Sequence, residues 1–386
     1  FLKNKTQIIW IGLISLCILL MILHFFFPIN LIVSLAIFSL LFLYLSLKIQ
    51  FINFKFLQIT KKNILVLLYY FFCLLILTKQ EPLYDTGLYH LQAIKWFSEE
   101  SLVPGISNLN DRLGFNIISY YLSSYLILPF FRELSHISIS LFIFVLTFAT
   151  IINLNFYTIK NSYWIKCSAL IGLSFKRYLV PSASPDLIIF SLEIIVVLYL
   201  IKILFDENKD LKNFTFLFFI CSYLYMIKLS SAFFSIIFLI ILFILFNKKN
   251  VIFFHKKLIF FSIVIALIWI IRGYFISGMP FYPNTFLAAE FLDWSANTLD
   301  TKLLVKNIYN WSINSSIISV EKLSFIKNFG FWISSFSLYI KIYLILIGIF
   351  FLLSLLRYDQ DLFSKLILII FGLLANILFI VTTLPQ

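Results

Sequence analysis

Charged side chains are scarce in this sequence. Only 12% of its 386 residues are Asp, Glu, Lys or Arg, whereas 62% are hydrophobic. The mean hydropathy of +1.02 excludes a water-soluble globular protein. Apolar runs close to the roughly 20 residues that cross a bilayer as a helix recur along the whole chain, which leaves little room for a soluble domain. The composition predicts one transmembrane domain over residues 1–386.

Cysteine and the common catalytic motifs are also rare or missing. The four cysteines lie inside apolar runs and show neither CxxC nor Cys/His ligand spacing, so we expect no disulfide and no structural zinc. The sequence has no Walker motif, GxSxG, HExxH, or GxGxxG in a strand context. ATP-driven, serine-hydrolase and zinc-protease activities therefore have no support.

The net charge of +13 is best explained by membrane topology. The basic residues sit in short connections between apolar segments rather than on one face, which argues against a nucleic-acid partner. Four lysines crowd the connection between residues 48 and 62, as is typical of cytoplasmic loops. The N terminus is then inside, and residues 79–112 form the first external loop.

Continuously apolar segments predict helices, because an alternating pattern would be needed for a membrane β-barrel. The fold class is an all-α, polytopic transmembrane helical bundle with external interfacial helices. A second external loop is predicted at 277–338. The first loop and Asp186 both come out on the external side, yet three apolar segments separate them, and an odd number of crossings would put them on opposite sides. One of these segments therefore does not cross the membrane, and the polar segment 113–131 is the best candidate. The predicted apolar segments are 8–27, 29–47, 63–78, 113–131, 137–159, 163–180, 186–205, 213–229, 230–246, 257–276, 339–356 and 364–384.

The first external loop carries most of the candidate chemistry. Five of the seventeen acids lie between Glu81 and Asp111. Asp85 precedes an amphipathic pattern of Leu88, Leu91, Ile94 and Phe97, which predicts a helix along the membrane interface. Asp85 is either a helix N-cap or a general base, and these roles are compatible. Tyr84 and His90 are predicted to contact substrate, although an interfacial histidine often has no role.

Charged residues near the membrane-embedded segments add to this set. Asp186 begins another helix, where capping is the default explanation. Glu193 lies seven residues further on the same face, where an intramembrane carboxylate requires a partner or a water-filled cavity. Lys228, Arg272 and the pair Lys176 and Arg177 lie at predicted outer helix ends, where basic residues are normally depleted. Together with Arg112 they suggest an anionic, phosphate-bearing ligand, the alternative being contacts with lipid headgroups.

Several short motifs resemble the GT-C superfamily of membrane glycosyltransferases, in particular its protein O-mannosyltransferase and aminoarabinose-transferase branch. These motifs are YDTGLYHLQAIKW, SPD, MIKLSS and IRGYFISGMPFYP. The resemblance implies sugar transfer from a polyprenyl-phosphate carrier, with Asp85 as base or metal ligand, Asp186 as the second acid and Lys228 on the lipid phosphate. Arg112 and Arg272 are assigned to phosphate by charge alone. Many members have paired acids in this loop, whereas Thr86 follows Asp85, so a divalent metal is not required by the pattern. The segment PGISNLNDRLGFN is also similar to one in uncharacterised bacterial membrane families.

The main hypothesis is a glycosyltransferase of the bacterial cytoplasmic membrane with its active face outside. It would move a sugar from a polyprenyl-phosphate-linked donor to a lipid, glycan or protein acceptor. A glycan polymerase or ligase would depend on external Arg and His residues instead of Asp85. A transporter or non-catalytic assembly protein would instead use a path lined by Glu193. The transferase hypothesis requires Asp85, Asp186 and Lys228 to converge.

Overall fold

The computed structural model describes residues 5–48, 60–77, 83–127, 134–156, 163–205, 211–245 and 256–313, and the single positions 341, 342, 345 and 349. Throughout these ranges the regular secondary structure is helical, and no strand occurs in them. The predicted segments 339–356 and 364–384 lie outside the described residues apart from those four positions, as does the end of the second predicted loop, 314–338.

The described chain contains long apolar helices joined by shorter ones. Four of them, α1, α6, α8 and α11, are long and apolar enough to cross a membrane. Shorter apolar helices cover 31–47, 211–227 and 229–242. The α-helices are α1 (Lys5–His24), α2 (Leu31–Lys48), α3 (Lys61–Leu77), α4 (Leu91–Glu99), α5 (Tyr120–Tyr125), α6 (Ser135–Asn153), α7 (Tyr163–Phe175), α8 (Asp186–Phe205), α9 (Leu211–Ile227), α10 (Ala232–Leu245), α11 (Lys256–Ser277) and α12 (Thr298–Ile313).

The centre of the bundle is formed by α8 and α9, which pack against each other and against α6 and α10. Buried hydrogen bonds fix α1 to this core: Gln7 Nε2 donates to Asn213 Oδ1 on α9 at 3.0 Å, and Trp10 Nε1 donates to Thr150 Oγ1 on α6 at 3.0 Å. Such bonds orient apolar helices that have little other directional contact. In contrast, α2 and α3 expose large apolar side chains, such as Phe42 and Leu68. This exposure suits a lipid-facing surface.

The segment 113–131 is not one continuous helix in its described part, 113–127, which agrees with the parity argument. It contains a 3₁₀ turn at Asp111–Gly114 and then only the six-residue α5, about 9 Å long. The reason lies in its polar residues. Asn116 Nδ2 donates to the carbonyl of Trp269 at 2.7 Å, and Trp269 Nε1 donates to the carbonyl of Asn116 at 2.9 Å. These bonds to α11 hold the non-helical backbone inside the protein.

The amphipathic helix after Asp85 exists, but its buried face differs from the predicted one. Ile94 and Phe97 are buried as expected, whereas Leu88 and Leu91 are about 40% exposed. Residues spaced strictly by three drift around an α-helix by about 60° per step, so the predicted stripe could not remain on one face. The buried face instead includes the polar residues Thr86 and His90. A hydrophobicity pattern overlooks this arrangement because both residues read as polar.

The chain after α11 packs onto the first loop. Gly105 adopts φ 68° and its amide donates to the carbonyl of Phe275 at 2.8 Å. Asn108 Nδ2 donates to the carbonyl of Trp294 at 2.9 Å. A Cβ atom on Gly114 would lie 2.7 Å from the ring of Tyr282, so glycine is needed for this close approach. The two loops therefore brace each other beside the start of α8.

Candidate functional site

The site is built around an ion pair between Asp186 and Lys228. Asp186 is in the first turn of α8, and its amide donates a hydrogen bond to Ser184 Oγ at 3.2 Å. Lys228 lies in the break between α9 and α10 with extended backbone, φ −154° and ψ 126°. Ser231 Oγ donates to the carbonyls of Leu224 at 2.9 Å and Lys228 at 2.8 Å, which stabilises the break. The two side chains remain 22% and 28% exposed, so a ligand can reach the pair.

Asp85 is brought beside this pair by the loop that precedes α8. The amide of Leu83 donates to Ser182 Oγ at 2.8 Å, and Ser140 Oγ on α6 donates to the carbonyl of Ser182 at 2.9 Å. Asp85 makes no side-chain capping bond to the following helix. The nearby Tyr89 side chain instead acts on this carboxyl and partly offsets the rise in its pKa. The capping explanation for Asp85 is therefore not what the structure shows.

The electrostatic surroundings of Asp85 connect it to the rest of the site. Burial raises the pKa of its carboxyl, opposed first by the positive charge of Arg112; Asp186 raises it further and Lys228 lowers it. Arg112 lies over the Tyr89 ring with its guanidinium carbon 5.7 Å from the centroid. Asp85, Arg112, Asp186 and Lys228, which we call the charge cluster, thus occupy one neighbourhood.

His90 lies behind the charge cluster rather than in it. The side chain is 1% exposed, and its ring is 5.6 Å from that of Tyr120. Burial lowers the pKa of His90 to about 4, so the imidazole is neutral near pH 7. Its Nδ1 has no hydrogen-bond partner among the described residues. His90 can therefore donate or accept a hydrogen bond but carries no charge.

Lys176 is a site residue whose role the sequence did not indicate, although the Lys176–Arg177 pair was noted. The ammonium is 5.4 Å from the Phe190 ring and 3.5 Å from the Tyr178 hydroxyl, and the residue is 3% exposed. Burial lowers the pKa of Lys176 to about 8, while Asp186 raises it. Arg177 is exposed. A charge in a sequence does not reveal which of two neighbouring residues turns inward.

Glu193 continues the same stripe of α8. Asp186, Phe190 and Glu193 are spaced by four and three residues and so share one face, with the Lys176 ammonium over the central ring. Glu193 Oε1 is buried and has no hydrogen-bond partner among the described residues. Ionisable side chains therefore continue from the Lys228–Asp186 pair to the more buried Lys176 and Glu193.

Two further predicted site residues lie elsewhere. Tyr84 is 77% exposed beside Asp85, so it lies at the rim. Arg272 is 1% exposed and bonds to the Tyr121 hydroxyl and to Asn116 Oδ1. The described contacts do not connect Arg272 to Asp186 or Lys228. Its predicted role in phosphate binding stays a prediction.

The described residues do not form a metal-binding group. No three His, Cys, Asp or Glu side chains in the described ranges lie close enough together to hold a metal ion. Asp186 is paired with Lys228.

The site combines the Asp85 carboxyl, whose pKa is raised by burial, with the partly exposed cations Arg112 and Lys228. Neutral side chains that can form hydrogen bonds lie beside them. Such a site can accept a proton at Asp85 and bind an anion at Arg112 and Lys228. Neither curated proteins nor solved structures gave a significant match. The chain belongs to the family described as a domain of unknown function, DUF8201, which it matches over residues 2–386.

Proposed function

We propose that the protein is a multi-pass membrane glycosyltransferase of the GT-C type, acting at the outer face of the bacterial cytoplasmic membrane. The observation that carries the proposal is the charge cluster, in which Asp186 and Lys228 form an ion pair and Asp85 lies within the electrostatic influence of that pair and of Arg112. An accessible carboxylate beside two cations fits a reaction that removes a proton and releases a phosphate. The exposed apolar surfaces of α2 and α3 suit a substrate carried on a lipid.

In this mechanism Asp85 accepts the proton of the acceptor hydroxyl. The acceptor oxygen forms a bond to the anomeric carbon of the sugar, and the bond from that carbon to the phosphate oxygen breaks. The electron pair leaves on the polyprenyl phosphate, whose growing negative charge is stabilised by Lys228 and Arg112. Asp186 holds Lys228 in position and limits its mobility. The products are the glycosylated acceptor and polyprenyl phosphate.

The sequence assigned Arg272 to the leaving phosphate as well. Arg112 is the better second cation, because its side chain is 19% exposed whereas Arg272 is enclosed. Arg112 keeps its predicted role, and leaving Arg272 out of phosphate binding is the one change that we make to the sequence-based mechanism.

The test is release of polyprenyl phosphate by the purified protein in lipid nanodiscs. The substrates are polyprenyl-phosphate-linked hexoses and pentoses with membrane extract as acceptor, and the products are measured by mass spectrometry. We expect Asp85→Asn to lower the rate by about 100-fold or more, because positioned general bases contribute about that much. Asp300→Asn, an exposed acid in the first turn of α12, is the matched control. Full activity of Asp85→Asn would refute the mechanism.

The same assay separates the alternative functions. A polymerase or ligase that depends on external arginines would lose activity in Arg112→Gln and keep it in Asp85→Asn. A transporter or assembly protein would release no polyprenyl phosphate from any donor. Either result would contradict the transferase proposal.

A further inference from the structure

Three neutral polar residues next to the charge cluster have buried groups with no bonding partner. Thr86 is 2%, His90 1% and Tyr120 4% exposed. Thr86 Oγ1, His90 Nδ1 and the Tyr120 hydroxyl have no hydrogen-bond partner among the described residues. Buried polar groups in folded proteins are nearly always hydrogen-bonded. Three neighbouring groups that depart from this rule indicate that a ligand or ordered water supplies their hydrogen-bond partners.

The three residues, which we call the neutral triad, lie close together. Thr86 and His90 are four residues apart in the π-helix Thr86–His90, which is closed by the bond from the Leu91 amide to the carbonyl of Thr86, and they share its buried side. The His90 ring is 5.6 Å from the Tyr120 ring. A single π-helical turn inside an α-helix is often found at functional sites. Here Thr86 and His90 are both buried, and His90 faces Tyr120 of α5.

The neutral triad also adjoins the catalytic groups of the proposed mechanism. Thr86 follows Asp85 directly, and the Tyr89 ring contacts that of His90 at 4.3 Å. Tyr120 is close enough to Asp85 and Asp186 for their negative charges to raise its pKa beyond the increase caused by burial. His90 lies within the field of Asp186 and Lys228. A ligand that bridges the two groups would present charge to the charge cluster and hydroxyl groups to the neutral triad.

None of the triad residues carries charge near pH 7. Burial lowers the pKa of His90 to about 4 and raises that of Tyr120 well above its ordinary value, and threonine does not ionise. Together they offer hydroxyl and imidazole groups that can both donate and accept. They offer no countercharge to an ammonium or a carboxylate, which would be costly to bury against them.

We propose that Thr86, His90 and Tyr120 form a subsite for the hydroxyl groups of an uncharged sugar on the lipid donor. This inference rests on the proposed function and deepens it, because it names the class of sugar. The phosphate of the donor binds to Lys228 and Arg112, and the sugar ring lies against the neutral triad. Hexoses and pentoses without amino or carboxylate groups are the substrates.

The experiment measures how much the sugar adds to binding. Wild-type protein in nanodiscs is titrated with polyprenyl phosphate and with polyprenyl-phosphate-linked hexose, and the ratio of the two affinities is determined by native mass spectrometry. Tyr120→Phe and Thr86→Val each remove a hydroxyl while keeping the shape of the side chain. We expect each to lower the ratio by about tenfold, as loss of a buried hydrogen bond commonly does. Affinity for the bare lipid phosphate should remain, which also shows that the variants are folded.

Tyr125→Phe is the matched control, because Tyr125 lies at the end of the same short helix and stacks on Phe38 at 5.1 Å. Its ratio should equal that of the wild type. An unchanged ratio in both Tyr120→Phe and Thr86→Val would overturn the subsite and leave ordered water as the occupant. Equal or tighter binding of an amino sugar or a uronic acid donor would overturn the restriction to uncharged sugars. If the wild type binds neither lipid, the proposed function fails, and the subsite with it.

Discussion

Two polar clusters in the described part of the chain differ in solvent exposure and in how completely their polar groups are hydrogen-bonded. The charge cluster around Asp186 and Lys228 is partly open, and neighbouring polar groups lack partners. The second cluster surrounds Arg272, which is 1% exposed and donates from Nε to the Tyr121 hydroxyl at 2.8 Å. The same hydroxyl bonds to His24 Nδ1 at 2.9 Å. An open, incompletely bonded cluster suits a ligand, whereas a sealed and well-bonded one suits structure.

The Arg272 cluster joins four parts of the chain. The guanidinium stacks over Phe97 of α4 at 5.2 Å and Tyr121 of α5 at 5.3 Å. His24 at the end of α1 also reaches the carbonyl of Glu100 at 3.1 Å. Because α11 supplies Arg272 itself, one side chain fixes the first loop to two long helices. In the described part of the chain, no comparable set of side chains encloses Lys228.

The largest effect that would test this comparison comes from Arg272→Gln. Removing this buried donor leaves the Tyr121 hydroxyl and Asn116 Oδ1 without it, so we expect a loss of stability of about 1–3 kcal/mol for each partner, or failure to fold. Thermal unfolding in detergent measures it. Arg177→Gln, at an exposed arginine, should leave the unfolding temperature unchanged. A stable Arg272→Gln protein that has lost only its binding of lipid phosphate would move Arg272 into the site.

The next largest effect is expected from Lys228→Gln. This variant should bind polyprenyl phosphate at least about tenfold more weakly, because a fixed cation facing the phosphate is lost. Its stability should fall by only about 1 kcal/mol, since the pair is partly exposed to solvent. Lys302→Gln, at an exposed lysine on α12, is the control. Unchanged affinity with strongly reduced stability would make Lys228 a structural residue like Arg272.

The sequence was sufficient to single out the charged residues of the site, but it did not show how each of them is buried and hydrogen-bonded. In so apolar a chain, Asp85, Asp186 and Lys228 stand out because burying a charge requires a reason. Sequence spacing does not show which way a side chain points, so Arg272 looked equivalent to Lys228. Tyr120 was missed because tyrosine is common in this chain, which has 20 of them. Its buried hydroxyl becomes informative only when its surroundings are known.

Hydropathy was sufficient to predict the long helices, whereas the interruption of helix in segment 113–131 depends on specific polar contacts. Long apolar runs indicated α1, α6, α8 and α11, since a lipid-exposed backbone must bond to itself. Segment 113–131 differs because Asn116 and Trp269 bond to each other's backbone. A short-range pattern could raise suspicion about that segment. It could not identify a partner 153 residues away.

A smaller effect on stability is expected from substitutions at Lys176 and Glu193, the two more buried ionisable residues beside the Asp186–Lys228 pair. Lys176→Met removes one of the two cations, Lys176 and Lys228, that act on Glu193, and Glu193→Gln leaves Lys176 with one fewer carboxylate, so each should be destabilising. The double variant should be more stable than the sum of the single effects indicates, by roughly 0.5–3 kcal/mol, because the two side chains interact. Unfolding of the four proteins measures this coupling. Strictly additive effects would show that the two residues act independently.

The smallest effect concerns the pH dependence of stability at Asp85. Burial raises the pKa of this carboxyl in the folded protein above its ordinary value of 3.8, so ionisation costs more folded than unfolded. The folded state then retains a proton over a pH range in which the unfolded state has lost it, and stability falls as pH rises through that range. At neutral pH the full penalty applies, so Asp85→Asn should raise the unfolding temperature slightly. The advantage should shrink as the pH is lowered through about 4, where the unfolded state begins to bind the proton as well. Unfolding curves of the wild type and the variant between about pH 3.5 and about pH 7.5 decide the sign of the stability difference. A lower unfolding temperature for Asp85→Asn at neutral pH would mean that this carboxylate stabilises the fold, which would make the charge cluster resemble the Arg272 cluster after all.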